Sequence, residues 1–221
     1  MTTLLWPPRC KGDFDMNDLI KRYPSLAVCE ADINETLKLL VDSFGRGGKL
    51  LLCGNGGSAA DCEHIVGELM KGFMMKRPLD EGLRISMKER CPQLSDCVID
   101  TLQRGLPAIS LTSINALNSA FANDVDPELI YAQSVFALGR EGDALIAIST
   151  SGNARNVCEA ARVAKAVGVK VIALTGRDGG DLKKLSDVCI IAPESETYRI
   201  QELHLPIYHY LCAEVEKHFF G

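Results

Sequence analysis

Several features are scarce or missing in this chain of 221 residues, and each absence excludes a class of protein. Aromatic residues make up 6% of the sequence and the formal net charge is −5, so neither a stacking platform nor a basic face for nucleic acid is expected. No apolar run approaches the length of about 18 residues that crosses a bilayer. The first 16 residues also lack a cationic start followed by a long apolar stretch, which argues against a secretory signal.

Cysteine is abundant, with nine residues, but no two of them stand in the CxxC spacing of a zinc knuckle or a thioredoxin-like site. Most lie in apolar runs, such as residues 51–53 and 189–191. Without a secretory signal, they are interpreted as reduced, mostly buried thiols of a cytoplasmic protein. Cys91 and Cys97 are the two that lie outside the expected core elements.

Five short apolar runs alternate with segments of helical period, which predicts an α/β fold with a parallel sheet covered on both faces. The runs lie at residues 49–53, 106–111, 144–148, 169–174 and 188–191. Because the strand-to-helix loops of such a sheet share one edge, and ligands bind at that edge, the loops after the first and third runs are expected to form the site.

One domain is expected over residues 1–221, with three segments that stand apart from the alternation. Residues 1–15 are interpreted as an arm with little structure of its own. A long N-terminal helix is predicted over residues 16–45, and Pro24 can divide it into two pieces. Residues 79–105 have mixed charge and an amphipathic stretch, so they are interpreted as a partly helical insertion.

The first candidate loop, GNGGS, leads into a helix whose polar face carries a possible ligand pair. Ser58 and Asp61 match a capping box, and the free N–H groups of the helix start attract anions. Helical spacing places Asp61, His64, Glu68 and Lys71 on one face. His64 and Glu68, four residues apart, can reach one divalent ion. The alternative is a capped surface helix with a solvated histidine and glutamate.

The second candidate loop, STSGN at residues 149–153, presents three hydroxyls in a row before a helix. Hydroxyls and backbone N–H groups can surround a phosphate without a cation. The loop lacks the lysine of a nucleotide P-loop and the GxGxxG of a dinucleotide site. The alternative is a helix start capped by serine or asparagine.

The last helical segment, near residues 199–219, carries further candidate ligands. Gln201 and His209 are eight residues apart, a rise of roughly 12 Å on a straight helix. They can meet one ion through long side chains, through a kink or late helix start at Pro206, or by donation from different subunits. His204 and His218 are other candidates.

Four motifs in order carry a resemblance to a known family. GNGGSAADxxH, GREGDxLIxISTSGNxxNV, LTGxDGG and RIQExH…H resemble the phosphoheptose isomerase branch of the sugar isomerase (SIS) superfamily. The resemblance runs from about residue 30 to residue 219. It implies a single SIS domain, a three-layer αβα sandwich with a five-stranded parallel sheet, and a homotetramer with active sites at subunit interfaces.

The resemblance also implies an activity and its site. The implied reaction converts D-sedoheptulose 7-phosphate to D-glycero-D-manno-heptose 7-phosphate, for nucleotide-activated heptose and surface polysaccharides. The implied zinc ligands fall on His64, Glu68, Gln201 and His209. The implied phosphate-binding hydroxyls fall on Ser58, Ser149, Thr150 and Ser151. Further implied substrate contacts fall on Asn55, Gly56, Gly57, Asn123, Asp124, Asn153 and Gln201.

The chain departs from the family pattern at four places. Ala154 stands where a further serine is usual, a basic residue is displaced to Lys71, and Tyr198 replaces an acidic residue of some members. The segment 79–105 is the fourth departure. These departures bear on the identity of the sugar more than on the type of reaction.

Isomerisation between ketose and aldose needs a base, an acid and stabilisation of an enediolate. Glu68 is the candidate base and His209 the candidate acid, while zinc would polarise the carbonyl. Two alternatives remain: a non-catalytic SIS module, such as a phosphosugar sensor or a replication-initiation adaptor, and an isomerase of another phosphosugar. No nucleic acid or membrane partner is expected.

Overall fold

The computed structural model describes residues 15–221 of the chain. The expected arm at residues 1–15 therefore lies outside the described residues, except for Asp15, whose carboxylate caps the first helix. The helices are α1 Met16–Arg22, α2 Glu30–Gly45, α3 Gly57–Met70, α4 Glu81–Arg90, α5 Asp96–Thr101, α6 Asn115–Asp124, α7 Ile130–Leu138, α8 Arg155–Ala166, α9 Gly180–Leu185 and α10 Thr197–Phe220. The strands are β1 Leu50–Gly54, β2 Ala108–Ser110, β3 Ala144–Ile148, β4 Lys170–Gly176 and β5 Val188–Ala192.

The five strands form one parallel sheet in the order β2-β1-β3-β4-β5, which confirms the predicted fold class. Successive residues of a strand point to opposite faces, so each strand feeds two cores. Leu50 and Leu52 enter a core with α2, α3 and α10, whereas Leu51 and Cys53 enter a core with α7, α8 and α9. In the described part of the chain, no helix is long and apolar enough to cross a membrane.

The predicted N-terminal helix is present in pieces. Helix α1 ends at Arg22, a 3-10 turn covers Pro24–Cys29, and α2 begins at Glu30. Pro24 opens the 3-10 turn, where its missing N–H removes no helical hydrogen bond. The predicted apolar stripe is buried on all three pieces, with Leu19, Leu26 and Ile33 fully covered.

The segment 79–105 contains the short helices α4 and α5, so the prediction that it is partly helical is confirmed. Helix α4 has no buried residue, and α5 is anchored by Ile99 alone. The two helices are joined by ion pairs, of which Lys88–Asp96 is 2.9 Å long. Cys91 and Cys97 are exposed free thiols. That the segment is an insertion remains a prediction.

A fully buried ion pair joins the end of α3 to α10. The Nε of Arg77 lies 2.7 Å from Oε1 of Glu216, and both side chains have 0% exposure. Glu216 also accepts hydrogen bonds from the backbone N–H groups of Phe73, Met74 and Met75. Charged residues are almost never fully buried unless they are paired, so sequence patterns did not point to these two.

The other end of the Arg77 guanidinium holds α3 directly. Its two terminal nitrogens donate to the backbone carbonyls of Leu69, at 2.6 Å, and Glu68, at 3.1 Å. Those carbonyls stand at the C-terminal end of a helix, where they lack partners within it. The pair therefore fixes the last turn of α3 against α10.

Replacing Glu216 by glutamine is expected to destabilise the protein by about 3–5 kcal/mol, because it leaves the Arg77 charge buried and uncompensated. The measurement is the free energy of unfolding in urea. Glu214→Gln is the matched control, since Glu214 pairs with Lys217 at 3.5 Å on the same helix but is partly exposed. Glu214→Gln is expected to lower the free energy of unfolding by less than about 1 kcal/mol. Equal losses in the two variants would contradict the structural role of the buried pair.

His204 has a structural position rather than a place in the site. It is fully buried, and its Nε2 lies 3.0 Å from the carbonyl oxygen of Thr175 on β4. Its Nδ1 has no hydrogen-bond partner among the described residues. Burial lowers the pKa of His204 from 6.5 to about 4.

Stability is therefore expected to depend on the protonation of His204. Because the folded-state pKa is depressed, the contribution is present above about pH 6.5 and is lost as the pH falls toward 4. The loss reaches about 2 kcal/mol by pH 5. The measurement is urea unfolding at pH 7.5 and pH 5. His204→Gln, whose amide can still donate to Thr175, is expected to show a shallower pH dependence, and an unchanged dependence would contradict the assignment.

Candidate active site

The predicted loops meet at the carboxyl ends of β1, β3 and β4, which are adjacent in the sheet. Asn55, directly after β1, and Asn156, in the first turn of α8, exchange amide hydrogen bonds of 2.9 and 3.0 Å. The Tyr131 hydroxyl donates to the carbonyl oxygen of Gly54 at 2.7 Å. The two loops are thereby tied into one surface, as the sequence predicted.

The predicted capping box at the start of α3 is wrong. The N-cap residue is Gly56, whose φ of +55° suits glycine, and no side chain caps the helix. The helix begins at Gly57, so Ser58 lies inside its first turn and is buried. Asp61 is the fifth residue of the helix, too far from Gly56 to complete a capping box, and its carboxylate accepts a hydrogen bond from Tyr208, 3.2 Å away on α10.

Gly57 leaves room for a predicted site residue. A Cβ at this position would lie 2.4 Å from Nε2 of Gln201, so the glutamine amide rests directly on the first loop. Gln201 lies in the first turns of α10, and its side chain is half-buried. This contact puts a polar amide beside the start of α3, where the N–H groups of Ser58 and Ala59 donate to the carbonyl oxygens of Asn55 and Gly56.

The second loop packs on the loop after β4. Gly152 has a φ of +67°, and a Cβ there would lie 1.9 Å from the carbonyl oxygen of Gly179. The Asn153 amide oxygen accepts from the N–H of Asp181 at 3.0 Å, so this predicted substrate residue also holds the start of α9. Ser149 is buried, while Thr150 and Ser151 are half-buried at the loop surface.

The polar face of α3 is one continuous chain of contacts, as its helical spacing predicted. Nε2 of His64 lies 3.3 Å from Oε1 of Glu68, and Nζ of Lys71 lies 3.1 Å from the other Glu68 oxygen. The hydroxyl of Tyr208 lies 3.0 Å from Nδ1 of His64 and connects it to Asp61. The Glu68 side chain is 14% exposed, so a small group can reach it.

Helix α10 supplies the remaining member of this cluster. Nε2 of His209 lies 3.4 Å from Nε2 of His64. The helix continues through Pro206 from residue 197 to residue 220, so a late start at the proline is wrong. Gln201 and His209 therefore contact different parts of the site, the first loop and the α3 face respectively.

Burial and neighbouring charge govern the ionisation of this cluster. Burial lowers the pKa of His209, and the nearby His64 lowers it further, whereas Glu68 acts in the opposite direction. Burial raises the pKa of Asp61 and also that of Tyr208, next to the Asp61 charge. At neutral pH, His209 is accordingly an uncharged imidazole. One of its ring nitrogens carries a proton and the other carries a lone pair.

The cluster of His64, Glu68 and His209 contains ligand types that zinc binds. Within residues 15–221, no three histidine, cysteine, aspartate or glutamate side chains enclose a point as a formed metal cluster does; the contacts run in a chain from Glu68 through His64 to His209. The two contact distances of His64 are 3.3 Å to Glu68 and 3.4 Å to His209. Imidazole and carboxylate are ligand types that zinc accepts, so the donor chemistry suits the ion although the described residues are not arranged as a metal-holding group.

Comparison with known proteins identifies the family. Two family models described as SIS domain match residues 25–103 and 116–211. The phosphoheptose isomerase of Helicobacter pylori strain P12 is 38% identical over 195 residues, which are 88% of each chain. That of Geotalea daltonii is 41% identical over 189 residues, 86% of this chain and 85% of the relative.

The chain belongs to the phosphoheptose isomerase family. A solved phosphoheptose isomerase from Neisseria gonorrhoeae has a TM-score of 0.72 at 31% identity, covering 91% of this chain and 94% of that one. The SIS fold expected from the four sequence motifs is thereby confirmed over nearly the whole described chain.

Some site residues implied by the family resemblance lie apart from the cluster. Asn123 and Asp124 are exposed at the end of α6, where the Asn123 amide donates to the Asp124 carboxylate at 2.8 Å. In the described part of the chain, no hydrogen bond joins this pair to the loops or to α3. Of the departures from the family pattern, Tyr198 is exposed, and Ala154 is the N-cap of α8, which therefore has no side-chain cap.

Sequence reasoning assigned no site role to Tyr208 and Asn156. Tyr208 precedes His209 in a helical pattern, where an aromatic residue is usually part of the core, and it is indeed buried. Asn156 belongs to the STSGNxxNV motif, which was the available signal for its role. Each residue forms a hydrogen bond with a predicted site residue, Tyr208 with His64 and Asn156 with Asn55.

The contact between Gly57 and Gln201 can be tested by adding one methyl group. Gly57→Ala is expected to turn the Gln201 side chain away from the first loop, because the new Cβ would meet its amide at 2.4 Å. The measurement is a crystal structure together with urea unfolding, and the stability change is expected to stay within about 1 kcal/mol. Gly67→Ala is the control, since a Cβ there meets nothing within 4 Å. An unmoved Gln201 would contradict the contact.

Proposed function

We propose that this chain is an aldose–ketose isomerase that converts D-sedoheptulose 7-phosphate to D-glycero-D-manno-heptose 7-phosphate, for the supply of heptose to surface polysaccharides. The observation that carries the proposal is the convergence of Glu68, His64 and His209 at α3, the helix that begins at the first of the two loops. The relatives named phosphoheptose isomerase, which cover most of the chain, support the same activity.

The phosphate of the substrate is assigned to the two loops. Helices α3 and α8 start there, and the positive dipole ends of the two helices attract an anion. The hydroxyls assigned to the phosphate are those of Ser58, Ser149, Thr150 and Ser151. No lysine is needed, because hydroxyls and N–H groups suffice to surround a phosphate.

The sugar is assigned to the space between these loops and the α3 face. Asn55, held by Asn156, and Gln201, resting on Gly57, present amides that can donate to and accept from hydroxyls. Gly56, Gly57 and Asn153 line the approach through their backbone. Asn123 and Asp124 are assigned as further substrate contacts, as the family resemblance implies.

Glu68 is assigned as the base that moves a proton between C1 and C2. His64 approaches one oxygen of its carboxylate and Lys71 holds the other, so the group is oriented on both sides. His209, with its lowered pKa, is assigned as the acid that serves the neighbouring oxygen of the sugar. Glu68 and His209 both lie next to His64, at 3.3 and 3.4 Å, so the assigned base and acid are close neighbours.

Zinc is the proposed cofactor, held by His64, Glu68 and His209. Gln201 is the fourth ligand that the family resemblance implies, although its amide contacts the first loop in this structure. When bound, the ion would polarise the sugar carbonyl and stabilise developing negative charge. The support for zinc is the chemistry of the donors, two imidazoles and a carboxylate in contact with one another. Glu68 then has two roles, as ligand and as base.

A homotetramer with sites at subunit interfaces is also proposed. It is supported by apolar side chains that a single chain leaves in water, such as Phe136 at 65% exposure and Val125 at 64%. Helices α4 and α6 likewise bury no residue of their own. Light scattering measures the assembly directly, and a monomer would contradict this part of the proposal.

The assignment of the base is tested with Glu68→Gln. Loss of the carboxylate is expected to lower kcat/KM by about 10²–10⁴, since the amide cannot take the proton. The measurement is deuterium incorporation at C1 and C2 in heavy water, with sedoheptulose 7-phosphate and a panel of other C5–C7 ketose phosphates. Metal content is measured alongside, before and after chelation.

The matched control is Glu214→Gln, because Glu214 also pairs with a lysine three residues on. It is expected to turn over at the wild-type rate. Substantial exchange by Glu68→Gln would overturn its role as the base. Faster exchange with a different ketose phosphate would overturn the proposed substrate but not the reaction type.

A further inference from the structure

A tyrosine and an aspartate behind His64 form a connected pair that no part of the proposed function uses. Tyr208 is 2% exposed, and its hydroxyl lies 3.2 Å from Oδ1 of Asp61 and 3.0 Å from Nδ1 of His64. The other oxygen of Asp61 is buried without a hydrogen-bond partner among the described residues. Tyr208 is therefore the only described side chain that satisfies this carboxylate.

The number of protons that Asp61, Tyr208 and His64 can donate decides which of them is donor and which is acceptor in this chain of contacts. A tyrosine hydroxyl has one proton to donate, and a carboxylate only accepts. If the tyrosine proton goes to Asp61, the hydroxyl oxygen is left as an acceptor for His64, and Nδ1 must carry the imidazole proton. The lone pair of His64 is then on Nε2, which faces Glu68 and His209.

We infer that Asp61 and Tyr208 are positioning residues that hold His64 in the Nδ1–H tautomer and so turn a free Nε2 lone pair toward the site. The inference rests on the proposed function for the use of that lone pair, but the tautomer itself is a property of the metal-free protein. Partners of this kind behind a metal-binding histidine fix its ring orientation and its protonated nitrogen.

Two competing arrangements give different protonation patterns. If the aspartate and the tyrosine served only packing, His64 would be free to donate from Nε2 to Glu68, 3.3 Å away. Asp61 lies in the second turn of α3, beyond the helix start that a side chain caps. Among the described side chains its carboxylate accepts from Tyr208, 147 positions along the chain. A relay to His64 gives this buried contact a role, whereas helix capping does not.

The decisive measurement is the protonated nitrogen of His64 in metal-free protein. The chain has four histidines, so 15N-histidine labelling gives a spectrum that single substitutions can assign. At pH 8.5, long-range 1H–15N spectra of the wild type are expected to show the proton on Nδ1. Asp61→Ala is expected to switch it to Nε2, because the released tyrosine proton can then be donated to Nδ1.

A second variant and a control cover the case in which Asp61→Ala unfolds. Tyr208→Phe keeps the ring and is expected to move the His64 proton to Nε2, which can then donate to Glu68, 3.3 Å away. Tyr210→Phe removes the hydroxyl of another buried tyrosine on the same helix and is expected to leave the His64 spectrum unchanged. Zinc affinity, measured by competition with a chromophoric chelator, is expected to fall 10–100-fold in the first two variants only.

The outcomes separate this inference from the proposed function. A wild-type proton on Nε2, or a Nδ1 proton that persists in both Asp61→Ala and Tyr208→Phe, would overturn the relay. A tautomer switch in a protein that binds no zinc would support the relay and contradict the proposed cofactor. Loss of zinc affinity without a tautomer switch would also overturn the relay.

Discussion

The contact on which the site most depends is the buried ion pair between Arg77 and Glu216. It carries no ligand, yet it fixes the last turn of α3, where Glu68 lies, against the helix that carries His209. A buried pair of this kind gains little net stability over apolar side chains, but it tolerates few alternative alignments. The relative position of the assigned base and acid is thereby set by two residues that do not touch the substrate.

Much of the fold was predictable because its signals are local. The five strands are short apolar runs next to glycine-rich loops, and a parallel sheet follows from their alternation with helices. The shared face of Asp61, His64, Glu68 and Lys71 was likewise predictable, because helical spacing alone creates it. The local prediction was wrong at the start of α3, because the N-cap is Gly56, two residues before the expected N-cap at Ser58.

The rest of the site depends on contacts between distant parts of the chain. Spacing within α10 left open how Gln201 and His209 take part, and the structure separates them between the first loop and the α3 face. The role of Tyr208 was hidden by its place in an apolar stripe. Arg77 was hidden for the opposite reason, since composition favours exposure for an arginine.

Helix α10 has a further consequence for how the protein is made. It follows all five strands in the sequence, and it covers one face of the sheet through Ile207, Leu211 and Val215. During synthesis the sheet and both loops emerge first, while Leu50, Leu52 and Ile146 still lack this cover. A nascent chain at that stage presents an apolar sheet surface that can aggregate or bind chaperones. Helix α10, which carries His209, covers that surface when it folds and so ends this exposure.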